Sequence, residues 1–311
     1  MHRVLIVGAS SLVGKGLINY YVNSNISDKF KIYITIRNNL NTPIPDECIY
    51  YLDIMDDAKV TCVLNVVEPD IIIFIAGEGS IDYCEKNKEI ARKINIDALN
   101  NFIDIIENHK SHFMYLSSNA VFDGKGAPYN ETSHPNPINY YGKLKFEAET
   151  IVRKRLKNRF TIIRPVLLLG ISNKGRRQSA VEFFLYRLYH KERVRAVDDV
   201  FNNPLHTNYL ADGIWKIIEK LGISKNEIFH FGGRDRLSRY DLIVELSEYF
   251  GFNSDLVDRV DSSAFPHMTK RMPDTTYDTT KAQKMLNWVP PSINQSFEIL
   301  KIEFDRISRE L

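Results

Sequence analysis

Over the first 165 residues, short runs of β-branched and aromatic residues alternate with longer stretches of helical periodicity, and few folds accept that pattern. Strands read at 3–7 (RVLIV), 31–36 (KIYITI), 49–52 (IYYL), 70–77 (DIIIFIAG), 112–118 (HFMYLSS) and 160–165 (FTIIRP), with helices near 14–22, 56–67, 86–108 and 141–155. Several strands are apolar on both faces, as strands covered by helices on either side must be. The expected class is α/β, a doubly wound parallel sheet. After residue 166 the rhythm loosens: helices are expected near 178–190, 209–221, 238–250 and 294–309, and a strand at 227–233 (EIFHFGG). This predicts a larger domain over 1–165, with 205–226 returning to it, and a smaller C-terminal α/β domain from 166–204 and 227–311.

Charge narrows the ligand classes. With 41 basic and 39 acidic side chains the net charge is +2, too near neutral for a nucleic-acid groove or a polybasic membrane patch. Three cysteines, Cys48, Cys62 and Cys84, lack metal-ligand spacing, so neither a metal site nor a disulfide framework is expected. The apolar run 71–76 is too short to cross a bilayer, and no signal-peptide pattern precedes RVLIVGAS. A cytoplasmic protein acting on a small or medium ligand is the expectation.

The first strand ends in Gly8-Ala9-Ser10-Ser11-Leu12-Val13-Gly14 and runs into a helix. Glycine after a buried strand permits a tight turn, and the helix that follows presents free N–H groups and its positive dipole end to a pyrophosphate. Gly14 allows helix and strand to approach closely. A turn that merely needs glycine is the bland alternative. The second strand ends in Arg37 with no carboxylate, which suits a 2′-phosphate and favours NADP(H) over NAD(H), although a solvated loop charge would read the same. Asp53 and Ile54, just past the third strand, are placed to meet an adenine, and Ala76 and Gly77 to line the floor beneath a cofactor.

Tyr140 and Tyr141 stand side by side, and only Tyr141 has a lysine, Lys145, four residues on, where a helix places a neighbour on the same face. An ammonium there would lower a phenol pKa from near 10 and fit it for proton donation. With 16 tyrosines, roughly one such pair is expected by chance, and Tyr277 with Lys281 is a second. Position favours the first pair. Ser117 and Ser118 end the fifth strand about two dozen residues earlier, at the sheet edge where open α/β sheets bind ligands.

Together these segments resemble the extended short-chain dehydrogenase/reductase family, a Rossmann-type fold, and within it the dTDP-4-dehydrorhamnose reductases and related nucleotide-sugar 4-ketoreductases. The likeness runs nearly end to end, through GASSLVG, the 81–102 segment with Asn95, YLSSNAVFDG, YYGKLKFEAE, IIRPVLLLG, NNPLHTNYLADGIWKII, IFHFGGRDRLSRYDLIVELSEYFG and DTTKAQKMLNWVPPS. The resemblance implies an NAD(P)-binding domain over 1–165, a substrate-binding domain after it, and an allowed homodimer. It gives Ser118 the role of holding a substrate carbonyl, Tyr141 that of the acid and Lys145 that of its partner and ribose ligand. The family's middle glycine is Ser11 here, its strand-end Asp-Tyr is Asn119-Ala120, and Val200 stands where a glutamine orders the pocket.

The implied activity is NADPH-dependent reduction of a 4-keto nucleotide sugar. Arg176 and Arg177 are candidates for the substrate diphosphate, His206 and Asn119 for the pocket wall; a solvated surface and a structural histidine are the plain alternatives. Two rival functions remain: an NAD-dependent nucleotide-sugar 4-epimerase, and a non-catalytic nucleotide-binding regulatory subunit.

Overall fold

In the computed structural model, which describes residues 1–175 and 177–308, seven strands form one parallel sheet. They are β1 (His2–Val7), β2 (Phe30–Ile36), β3 (Ile49–Tyr51), β4 (Ile71–Phe74), β5 (His112–Leu116), β6 (Phe160–Pro165) and β7 (Glu227–Phe231), in the order β7-β6-β5-β4-β1-β2-β3. The order reverses between β1 and β4, whose registers pair Val4 with Ile71 and Val7 with Phe74. Strand connections there leave in opposite directions, so a crevice opens at the carboxyl ends.

Residues 4–7 of β1 are fully enclosed on both faces, which explains an unbroken apolar run where a half-exposed strand would alternate. Val4 and Ile6 face a core with α1 (Leu12–Val22), whereas Leu5 and Val7 face α2 (Asp57–Val67), α3 (Ala98–Ile106) and α4 (Tyr140–Leu156). A third core joins α5 (Ala180–Tyr189), α7 (Arg239–Phe250) and the C-terminal helix Ile293–Ser308 to the parallel pair Val194–Val197 and Val257–Val260. Between α5 and α7, helix α6 (Thr207–Glu219) returns to the sheet and lies against α1. There Tyr20 donates to Asp212 (2.9 Å) and the Trp215 indole to the Leu17 carbonyl (3.4 Å).

Two expectations change. The stretch at 227–231, expected in the C-terminal domain, pairs with β6 from Glu227–Thr161 to Phe231–Pro165 and closes the main sheet. Phe229 and Phe231 bury their rings in the α1–α6 core, and Trp288 meets Phe231 edge-on at 5.0 Å, so burial rather than chain order sets the boundary. The helix expected over 86–108 runs unbroken from Lys88 to Ile106, with a π-helical turn at Lys93–Asp97 between Lys88–Arg92 and α3. Among the described residues no helix is long and apolar enough to cross a membrane.

Gly14 shows why the first turn needs a residue without a side chain: a Cβ there would fall on the Ala9 carbonyl. Gly14→Ala is therefore expected to destabilise the chain by about 1–3 kcal/mol, read as a lower urea midpoint at unchanged slope.

Candidate functional site

A cleft of about 740 Å3 lies at the β1–β4 reversal. Nine expected cofactor residues line it: Gly8, Ser10, Ser11, Leu12, Arg37, Asp53, Ile54, Ala76 and Gly77. Gly8 has φ +95°, and a Cβ there would meet the Ala76 backbone at 2.9 Å, so the two strand ends touch. Ser11 has φ −74°, which any residue adopts, and its hydroxyl caps α1 by accepting from the Gly14 N–H (3.1 Å). The serine therefore replaces a glycine without backbone strain. No acidic residue sits in the first turn of α1, leaving its positive end open to an anion. Val13 and Gly14 are buried behind this turn.

A second hollow of about 500 Å3 shares Arg37 and Asp53 with the cleft and adds Asn38, Tyr51 and Lys59. A larger one of about 1110 Å3 opens at the other end of β1 and β4 and holds none of the expected site residues. Its charges are largely matched in pairs, Arg3 with Glu68 (3.1 Å) and Lys29 with Glu219 (2.9 Å). The expected cofactor residues gather instead in the 740 Å3 cleft.

At the carboxyl end of β5, Ser118 opens a short 3-10 turn and accepts from the Ala120 N–H (3.1 Å). Asn139 caps α4 by accepting from Gly142 N–H (2.9 Å). A Cβ on Gly142 would fall on the Ala120 carbonyl, so the helix start rests on the turn after Ser118 and brings Tyr141 to it. Burial pushes the Tyr141 phenol up to about 12, while a hydrogen bond with Ser118 pulls the other way and the charges of Cys84 and Glu78 add to the rise. Glu78 lines the 740 Å3 cleft, whereas Ser118, Tyr141 and Lys145 are not among its lining residues.

Lys145 departs from expectation. Its Nζ donates to the Leu116 carbonyl (2.8 Å) and the Tyr115 hydroxyl (3.2 Å) and lies 6.0 Å from the Tyr141 ring centroid. Burial brings its own pKa down to about 8, against the raising effects of Glu149 and Cys84. The expected lowering of the Tyr141 pKa by Lys145 is thus absent: the ammonium is committed to a carbonyl, and burial dominates the phenol.

Tyr140 takes a different course, its N–H bonded to Glu85 (2.9 Å) and its ring under Lys88. Tyr277 stacks on His230 at 4.0 Å, its hydroxyl buried without a partner, and Lys281 binds Glu227 (2.6 Å) and the Ile228 carbonyl (2.8 Å). The second tyrosine–lysine pair is therefore structural.

Other expectations are corrected by what the side chains touch. Asn95, in the π segment, lies beneath the cleft floor and not in its lining. It accepts from the Glu78 N–H (3.2 Å), donates to the Ala91 carbonyl (2.9 Å), and fixes the Gly77 turn. Arg177, expected at a substrate diphosphate, stands on the rim of the cofactor-side cleft, 3.8 Å from Glu78. Arg176 lies outside the described residues. Asn119 donates to Thr275 (2.7 Å), a wall contact beside Ser118. His206, expected at the pocket, is fully enclosed. Its Nδ1 accepts from Asn208 N–H (3.2 Å), which leaves Nε2 to donate to Glu303 (3.2 Å).

Sequence reading missed Glu149 and Arg164. Glu149 is 1% exposed, takes a bidentate pair from Arg164 (2.8 and 2.6 Å) and accepts from Ser117. A signal existed: Glu149 follows Lys145 by four residues, extending the Tyr141–Lys145 face by one turn.

The Glu303 carboxylate gives a pH-dependent prediction. Burial raises its pKa, but the His206 hydrogen bond, the Lys15 ammonium and the Ile171 N–H outweigh it and hold the group at about 2, below its ordinary 4.5. A lowered pKa stabilises the fold above the ordinary value and ceases to do so as pH falls through the folded one. Glu303→Gln should thus cost up to about 3 kcal/mol at neutral pH, and the gap to the unsubstituted chain should close between pH 4.5 and 2 in chemical denaturation.

Comparison with known proteins places these features. The family described as "RmlD substrate binding domain" matches residues 1–301. The dTDP-4-dehydrorhamnose reductase of Aggregatibacter actinomycetemcomitans is 24% identical over 299 residues, covering 93% of this chain and 95% of that one. Methionine adenosyltransferase 2 subunit beta of Xenopus laevis is 25% identical over 255 residues, covering 81% and 73%. Among solved structures, the dTDP-4-dehydrorhamnose reductase of Bacillus anthracis in complex with NADP superposes with a TM-score of 0.81 at 23% identity, covering 97% and 99%. The UDP-glucuronic acid 4-epimerase of Bacillus cereus, in complex with UDP-glucuronic acid and NAD, reaches 0.84 at 17% identity, covering 99% and 100%. At these identities the structures speak for the fold, an α/β sheet with a smaller C-terminal region, and the residues matched over 1–301 speak for the lineage: the chain belongs to the RmlD substrate binding domain family.

Proposed function

We propose that this protein is an NADP(H)-dependent reductase of a 4-keto, deoxy nucleotide sugar. The observation that carries the reading is the seating of the α4 start on the turn after Ser118, which brings Tyr141, with Lys145 one turn along α4, to the carboxyl end of β5. The cleft suits a dinucleotide: a side-chain-free turn at Gly8, an uncompensated helix start and Arg37 at the β2 end. When bound, the nicotinamide group supplies the hydride.

The chain's own residues do the rest. Ser118 and Tyr141 converge on one carbonyl oxygen, and a phenol held near 12 keeps its proton until an alkoxide forms beside it. Lys145 lies within reach of the same charge, and it also fixes the strand end through Leu116. In this reading residues 166–204 and the chain beyond β7 bind the sugar and its nucleotide, with Asn119 and Thr275 forming one wall.

A second reading has support in the relatives named methionine adenosyltransferase 2 subunit beta: a non-catalytic subunit that binds the nucleotide and serves a partner enzyme. Turnover of a panel of thymidine- and uridine-linked 4-keto-6-deoxy sugars with NADPH decides between them. Failure across both sets, with NADPH still bound, favours the subunit. NAD+ released from the purified protein on unfolding favours a 4-epimerase instead.

Tyr141→Phe should lower turnover about 100-fold or more while NADPH affinity, read by fluorescence titration, stays within about twofold. Tyr277→Phe should leave turnover unchanged, since its hydroxyl has no partner to lose. Loss of activity in Tyr277→Phe instead would show that the wrong pair was chosen. Arg37→Ser should weaken NADPH binding about 10-fold or more and leave NADH binding nearly unchanged.

A further inference from the structure

The groups that secure the serine and the lysine of the site converge on one carboxylate outside the Ser118, Tyr141, Lys145 set. Lys145 and Glu149 are one turn apart on α4, and both are buried, at 6% and 1% exposure. They clamp the end of β5 at consecutive residues. Lys145 donates to the Leu116 carbonyl, and Ser117 donates to a Glu149 oxygen. The next residue is Ser118. Glu149 in turn is held by both prongs of Arg164, whose guanidinium lies over the Phe122 ring at 5.2 Å and beside His230 (3.3 Å).

We infer that Glu149 is a positioning residue of the site: its carboxylate seats the strand end that carries Ser118 and supplies the negative charge that keeps the enclosed Lys145 an ammonium. The groups facing Lys145 are few. Tyr141 and Glu149 come from its own helix, Tyr115 from β5 and Cys84 from the helix Ile81–Lys86. Tyr115 and Cys84 are both raised by burial and stay neutral near pH 7. Glu149 is the one of the four held in an ion pair, with Arg164 (2.6 Å). Burial disfavours an ammonium, and a carboxylate one turn away offsets that. The direction agrees: Glu149 heads the effects that raise Lys145 against burial.

The catalytic meaning of this arrangement rests on the reductase reading, but the lysine charge can be measured without turnover. In the full chain labelled with 13C-lysine, the Lys145 resonance is assigned by its loss in Lys145→Arg and titrated by NMR. Glu149→Gln keeps an oxygen to accept from Ser117 and removes the charge. The Lys145 midpoint, about 8 in the unsubstituted chain, should fall by about one unit or more. Ser117→Ala removes the seat and leaves the charge, so its midpoint should stay. If Glu149→Gln unfolds because Arg164 loses its partner, Glu149→Gln with Arg164→Gln replaces the ion pair by an amide pair, and the same fall is expected. An unchanged midpoint in the folded neutral variant overturns the inference, as does an equal fall in Ser117→Ala. Where the unsubstituted chain reduces a keto sugar, the alkaline limb of its turnover profile should move down with the lysine in Glu149→Gln. A lysine that shifts in a chain with no turnover would sink the reductase reading and leave the inference standing.

Discussion

Everything polar in this site depends on a contact between two backbones: the start of α4 resting on the turn that follows β5. Gly142 has no room for a side chain because the Ala120 carbonyl occupies it. A helix that enters at that distance carries its first residues directly over the strand end, so Tyr141 reaches Ser118 and Lys145 reaches Leu116 without any loop having to be ordered. Preorganisation of this kind comes from rigid elements, and a hydroxyl pair on a strand end and a helix start loses little freedom when it meets a ligand.

The same closeness imposes an electrostatic cost, and the two buried clusters answer it in the same way. Around Glu303, the carboxylate meets Lys15, the His206 ring and the Ile171 N–H, so that both of its oxygens find a donor. Around Glu149, the guanidinium of Arg164 and the Ser117 hydroxyl do likewise. A buried charge is tolerated where hydrogen bonds complete what Coulomb attraction begins. The first cluster ties α1, α6 and the C-terminal helix together; the second ties α4 to β5 and β6. The C-terminal region is thereby fixed to the sheet from one side while the site is braced from the other.

Most of the fold could be read from the sequence, because its strands are apolar on both faces and its helices carry clear caps. Periodicity places α4 and α7 within a residue of where they lie. The cofactor-side cleft was legible for a related reason: strand ends and glycine turns are local. What escaped was set by distant partners. His206 reads as a pocket histidine next to a loop, and only the fold brings Glu303 to it from 97 residues away. Glu227–Phe231 follows a helix in the C-terminal half, and nothing nearby reveals that β6 is its neighbour. The Lys145 to Leu116 bond was equally hidden, since helical spacing names the side chains that share a face and is silent on the carbonyl beneath them.

Fold alone does not choose between a reductase and a binding subunit, because one scaffold serves both. Energetics offers a lever. Lys145 is enclosed and its pKa is brought from 10.5 to about 8, which corresponds to roughly 3 kcal/mol set against folding at neutral pH. That cost is present below the folded pKa, where the lysine is charged, and is relieved as pH rises past it. Tyr141 next to the lysine keeps part of its surface open. An ammonium maintained at such a cost beside a phenol and a serine hydroxyl makes sense where negative charge develops on a substrate oxygen. That is what hydride addition to a ketone would produce in the reductase proposed above.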